Sequence, residues 1–184
     1  MKTAVHPVID VLSPAAGWTR SLPTAAAVVR RAAKAAWDSG AAAAQKRRAK
    51  TTELSVLLTG DAAIRKLNAL YRGKDKATNV LSFPAGEDGP SDGGLILGDV
   101  VVAYGTVVKE AKEAGKSLKD HLSHMVVHGV LHLLGYDHEI ASDAKTMERL
   151  ETKILAGLGI QDPYRDTIPA PAPKKTSRGA RRRT

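Results

Sequence analysis

The sequence predicts a single α/β (α+β) domain, a small mixed sheet of four strands packed with helices around one buried central helix. Three observations carry this. Segments with strand patterning alternate along the chain with helical patterns, which favours layered sheet and helices. Residues 117–135 are apolar on nearly every helical face, as befits a helix enclosed by its neighbours. The 184 residues, 43% of them apolar and without cysteine, are enough for one core that needs no covalent staples.

Taken in order, a first strand is expected within residues 5–13. "LPTAAAVVRRAAKAAWDSG" is an alanine-rich helix with Thr24 as N-cap and a stop at Ser39-Gly40. "AAAAQKRRAK", residues 41–50, reads as a solvated basic connection. "TELSVLLTG" alternates and then runs apolar, which marks a buried strand. A helix follows with Asp61 at its start, Ile64, Leu67 and Leu70 as its apolar positions and Gly73 as its C-cap. "TNVLSFP" is a short strand ended by Pro84, "AGEDGPSDGG" a turn-rich loop and "LILGDVVVAY" an apolar strand. Residues 104–114 read as a helix that stops near Gly115. Ser117 and Asp120 make a capping-box-like start for the enclosed helix. A last helix, about 140–157, puts Met147, Leu150, Ile154 and Leu155 on one side. The domain is expected to cover 1–165, with 166–184 a disordered basic tail.

Charge is distributed unevenly. The net charge is +9, yet six of the 28 basic residues lie in the final fourteen, which contain no acid. The remainder balances 22 against 19. A basic tail of this kind attracts polyanions, nucleic acid above all, without reading sequence. Without cysteine there are no disulfides, thiolate nucleophiles or cysteine zinc sites, so any metal must be held by His, Asp or Glu. "MKTAVHPVIDVLSPAAGW" lacks the continuous apolar region of a signal peptide, and no run approaches a membrane span. The expected compartment is the cytoplasm, with no membrane partner.

The chemistry concentrates in "HGVLHLLGYDH", residues 128–138. A helix advances about 100° per residue, so His128 and His132 project from one face a turn apart. A continuing helix would carry His138 away, but Gly135 tolerates the positive φ of a sharp turn that returns it. Three neutral imidazoles with an open fourth position are the ligand set of a catalytic zinc ion, Zn2+, which lowers the pKa of water to about 7. The same spacing occurs in zinc proteases, which place a general-base glutamate directly after the first histidine. Here that position is Gly129. A phosphodiester asks instead for charge stabilisation on its oxygens, and "YRGKDK" offers Arg72, Lys74 and Lys76. His121 is expected to be exposed near the helix start. His124 is either a support for the ligands or a groove residue, and Asp137 either orients a ligand or caps the turn. The seven aromatics, Trp18, Trp37, Tyr71, Phe83, Tyr104, Tyr136 and Tyr164, are dispersed and are expected mostly in the core.

"LNALYRGKDKATNVLSFP", "LGDVVVAY" and "HMVVHGVLHLLGYDH" together resemble the signature blocks of the YbeY family of bacterial endoribonucleases. The resemblance covers roughly residues 50–160. It implies a metal-dependent, single-strand-specific endoribonuclease that matures ribosomal RNA, notably the 3′ end of 16S rRNA, and serves ribosome quality control. It implies one zinc ion on His128, His132 and His138, with Arg72 and His128 as the catalytic residues. The implied partners are single-stranded RNA, the small ribosomal subunit and its proteins, and a ribosome-assembly GTPase. Whether a metal-activated water or the RNA 2′-hydroxyl is the nucleophile stays open. Two rival readings are a zinc protease, which Gly129 opposes, and a metal-stabilised assembly factor that binds the ribosome without cutting RNA.

Overall fold

A computed structural model describes residues 7–40, 51–86, 94–138 and 140–165. The elements run β1 (Val8–Leu12), α1 (Ala16–Ser21), α2 (Ala25–Gly40), β2 (Thr52–Thr59), α3 (Asp61–Arg72), β3 (Val80–Pro84), β4 (Leu95–Ala103), α4 (Tyr104–Glu113), α5 (Leu118–Leu133) and α6 (Ala141–Gly157). The sheet has the order β1-β2-β4-β3, with β1, β2 and β4 parallel and β3 antiparallel on the edge beside β4. This is the mixed four-stranded sheet that the strand patterns predict. The connection 41–50, part of the turn-rich loop and the basic tail lie outside the described residues.

Period-two patterning divides the sheet into two faces. The paired row Val11–Val56–Val100–Ser82 faces the main core, where Val56 and Val100 are fully buried. The core forms between this face and α2 and α5, and includes Trp18, Trp37, Leu58, Leu122, Val126 and Leu131. On the other face a smaller cluster joins Ile64 of α3 to Leu81, Val101 and Ala103, with Leu67 and Phe83 at its margin. There α3 leaves part of the sheet uncovered: Leu12 is 60% exposed, and Leu70, predicted as an apolar contact, is itself exposed.

Helix α5 lies at the centre, in contact with α2, α4, α6, β3 and β4. Its N-cap is Ser117, whose Oγ accepts from the Asp120 backbone N–H at 3.0 Å, the bond expected of such a start. Close packing on the sheet depends on Gly129, where an added Cβ would stand 2.6 Å from Val100 Cγ1. Ser82 Oγ also donates to the Gly129 carbonyl at 3.0 Å.

One expectation needs correction, and two features were not anticipated. The short helix α1 was not anticipated; it holds Trp18, whose Nε1 donates to the Thr59 carbonyl at 3.1 Å. His121 is buried rather than exposed, because α4 packs over the start of α5 and its Nε2 meets Glu110 Oε2 at 2.9 Å. Tyr71 is not a core residue, being 64% exposed on the last turn of α3.

Candidate functional site

The site is built on the C-terminal end of α5 and the turn that follows. The helix places His128 and His132 on one side, with their Nε2 atoms 3.1 Å apart. Gly135, at φ 92°, reverses the chain, and His138 returns. One ligand atom from each histidine then lies within 4.8 Å of the others. Asp137 caps this turn, its Oδ1 accepting from the His138 backbone N–H at 2.7 Å.

The carboxylate behind the site is Glu151 of α6, which is fully buried. His128 Nδ1 stands 2.7 Å from Glu151 Oε1. With that carboxylate ionised, the imidazole proton belongs on Nδ1, and Nε2 presents its lone pair to the site. Tyr164 donates its hydroxyl to the other carboxylate oxygen, and His124 Nε2 approaches it at 3.5 Å. Burial opposes ionisation of Glu151, but His124, His128 and Tyr164 outweigh it and hold the carboxyl at about 2. Burial and the carboxylate together push the Tyr164 phenol up. His124 thus stands behind the site beside Glu151.

Sequence reasoning missed Glu151, although its signal was present. It falls four residues after Met147 and three before Ile154, so it interrupts the apolar stripe of α6. A carboxylate there must find a partner.

The donor set suits a metal. Desolvation, followed by the nearby His128 and His138, holds His132 down to about 4, so it is neutral and its lone pair is free at pH 7. A tetrahedral zinc ion bound at about 2.0–2.1 Å would separate two ligand nitrogens by about 3.3 Å, close to the 3.1 Å between His128 and His132.

The three histidines line a pocket of about 730 Å³ together with Arg72, Lys74, Ser82 and Tyr136. Arg72 arrives from the end of α3, where Gly73, left-handed at φ 66°, stops the helix. It is exposed and has no ion-pair partner among the described residues. The acid in its loop is engaged elsewhere: Arg65 Nε and Nη2 each donate to Asp75 at 2.7 Å. That pairing draws the Asp75 carboxyl below its ordinary value. Of the predicted basic cluster, Arg72 and Lys74 reach the pocket, and Lys76 is not part of its lining. The result is an open, cation-rimmed cleft with three nitrogen donors at one side. Gly129 turns away from it toward the sheet, with no room for the glutamate a protease would need.

A family model described as Endoribonuclease YbeY matches residues 24–159. A protein from Bradyrhizobium diazoefficiens named Endoribonuclease YbeY is 49% identical over 172 residues, covering 90% of this chain and 91% of that protein. One of the same name from Methylocella silvestris is 44% identical, covering 89% of each. The solution structure of TM1509 from Thermotoga maritima aligns with a TM-score of 0.48 at 23% identity, covering 83% of this chain and 92% of that one. The chain belongs to the YbeY endoribonuclease family.

Proposed function

We propose that this protein is a metal-dependent, single-strand-specific endoribonuclease that acts in the cytoplasm on ribosomal RNA. Maturation of the 3′ end of 16S rRNA and ribosome quality control are the setting the family suggests. Its partners are then the small ribosomal subunit, its proteins and a ribosome-assembly GTPase. The observation that carries the reading is the convergence of three imidazoles with Arg72 and Lys74 in one open pocket. The names of the relatives supply the reaction class.

His128, His132 and His138 would hold one zinc ion, which when bound supplies Lewis acidity to the phosphodiester. Arg72 meets the phosphoryl oxygens and stabilises the charge that grows on them, since a guanidinium matches two such oxygens at once. Lys74 adds positive potential at the rim. Glu151 fixes the tautomer and ring orientation of His128, and Gly135 fixes the approach of His138.

The test is cleavage of a labelled single-stranded RNA ending in 16S-like 3′ sequence. Wild type is run beside His128→Ala, Arg72→Ala and a chelated sample, all purified identically. Cleavage should vanish in His128→Ala and on chelation. It should fall by about 10²–10³ in Arg72→Ala, the usual loss for removing one charge-stabilising donor. Equal cleavage by wild type and variants would expose a contaminant. Persistent absence of cleavage, on free RNA and on ribosomal particles alike, would leave a metal-stabilised assembly factor.

A further inference from the structure

The uncovered sheet face next to the pocket carries a second groove of about 740 Å³, whose lining includes Leu12, Leu57, Leu67, Tyr71 and Phe83. Tyr71 stands at its edge, 64% exposed. Its ring meets that of Phe83 at a centroid distance of 5.0 Å and an angle of 65°. Such an edge-to-face contact braces the ring while leaving much of its surface open.

Three residues, Arg72, Ser82 and Pro84, line both this groove and the histidine pocket. The edge strand β3 therefore separates two connected clefts, and Arg72 stands where they join. The charge of each cleft differs. The pocket is rimmed by Arg72 and Lys74, whereas the groove has the exposed carboxylate of Asp99 on its floor, in the paired row Asp10–Ser55–Asp99–Phe83. A carboxylate repels phosphate but accepts hydrogen bonds from the amino groups of bases. A strand crossing β3 would keep its backbone on the basic side and turn a base toward the groove.

Resting on the endoribonuclease reading, we infer that this groove is a base-binding shelf: Tyr71 stacks an unpaired base of the RNA strand whose phosphate lies at Arg72. Stacking platforms of this kind tolerate any base, because every base has a π-face. The shelf also gives a physical reason for single-strand preference, since a paired base in A-form RNA cannot present its face to a protein ring. The dispersed aromatics thus include one built stacking position, assembled from α3 and β3.

The experiment measures binding of the full chain to a labelled single-stranded oligoribonucleotide by fluorescence anisotropy, with gel analysis after each titration to confirm that the RNA is intact. A parallel series replaces one nucleotide at a time with an abasic unit. Tyr71→Leu keeps the apolar bulk and loses the ring; Tyr71→Phe keeps the ring. Tyr71→Leu should weaken intact RNA by about ten-fold, the scale of one lost base stack. Tyr71→Phe should bind as wild type. At one abasic position wild type and Tyr71→Leu should bind equally, because the stack is already missing. If Tyr71→Leu binds intact RNA as wild type does, while His128→Ala still abolishes cleavage, the shelf is overturned and the nuclease reading stands. If wild type neither binds nor cuts single-stranded RNA, whether free or in ribosomal particles, both fall.

Discussion

Replacing Glu151 with glutamine isolates what the buried carboxylate does for the histidine centre. The side chain keeps its size in a fully buried position, so no cavity opens. The amide oxygen can still accept from His128 Nδ1, which now lies 2.7 Å from Oε1, but the negative charge is gone. A hydrogen bond to a charged group contributes about 1.5–3 kcal/mol, roughly twice a neutral one. Losing half of that removes about 0.8–1.5 kcal/mol of support for His128 as a ligand, or about four- to thirteen-fold in zinc affinity. The upper end meets the about 10- to 100-fold effects of removing partners that orient metal ligands. The assay is competition for zinc against a chromophoric chelator at pH 7, with Glu151→Ala beside it. That variant removes the acceptor altogether, orphans the Tyr164 hydroxyl and should lose more. Zinc binding by Glu151→Gln as tight as wild type would refute a role for this charge in holding His128 as a ligand.

Other outcomes follow from the same geometry. Gly129→Ala puts a Cβ 2.6 Å from Val100 Cγ1; urea unfolding should show a loss of about 1–3 kcal/mol, with Val100→Ala in the same chain restoring part of it. Burial, only partly offset by Glu110, lowers the His121 pKa, so the folded state resists protonation where the unfolded chain accepts it. Stability from this group is complete above the unfolded value of about 6.5 and is lost as pH falls from there through the lowered folded value. The unfolding free energy from urea titrations should drop below pH 6.5 with a slope of at most about 1.4 kcal/mol per pH unit from this residue, and His121→Gln should reduce that slope. Truncating residues 171–184 removes six basic side chains and should flatten the dependence of RNA affinity on salt; an unchanged slope would show that the tail takes no part.

Much of this protein can be read locally. The helix of 117–133, its Ser117 cap, the spacing of His128 and His132 and the Gly135 turn all follow from relations within a few residues. Backbone periodicity and a glycine's left-handed freedom act at that range. The four strands were legible as short alternating or apolar runs bounded by turn residues.

What the sequence could not determine was juxtaposition across the chain. Arg72 and the histidines are separated by more than fifty residues and share a pocket only because β3 and α5 meet around Ser82 and Gly129. Glu151 looked like one charge on an amphipathic helix until α6 pressed it against His128. His121 was expected to be exposed because it lies near a helix start, but α4 covers it. Tyr71 carries the same chemical label as a core aromatic, and its exposure was decided by how far α3 extends over the sheet. Local periodicity says which side of an element is apolar. Only packing decides what that side meets, because burial and partner distance belong to pairs of elements and not to either alone.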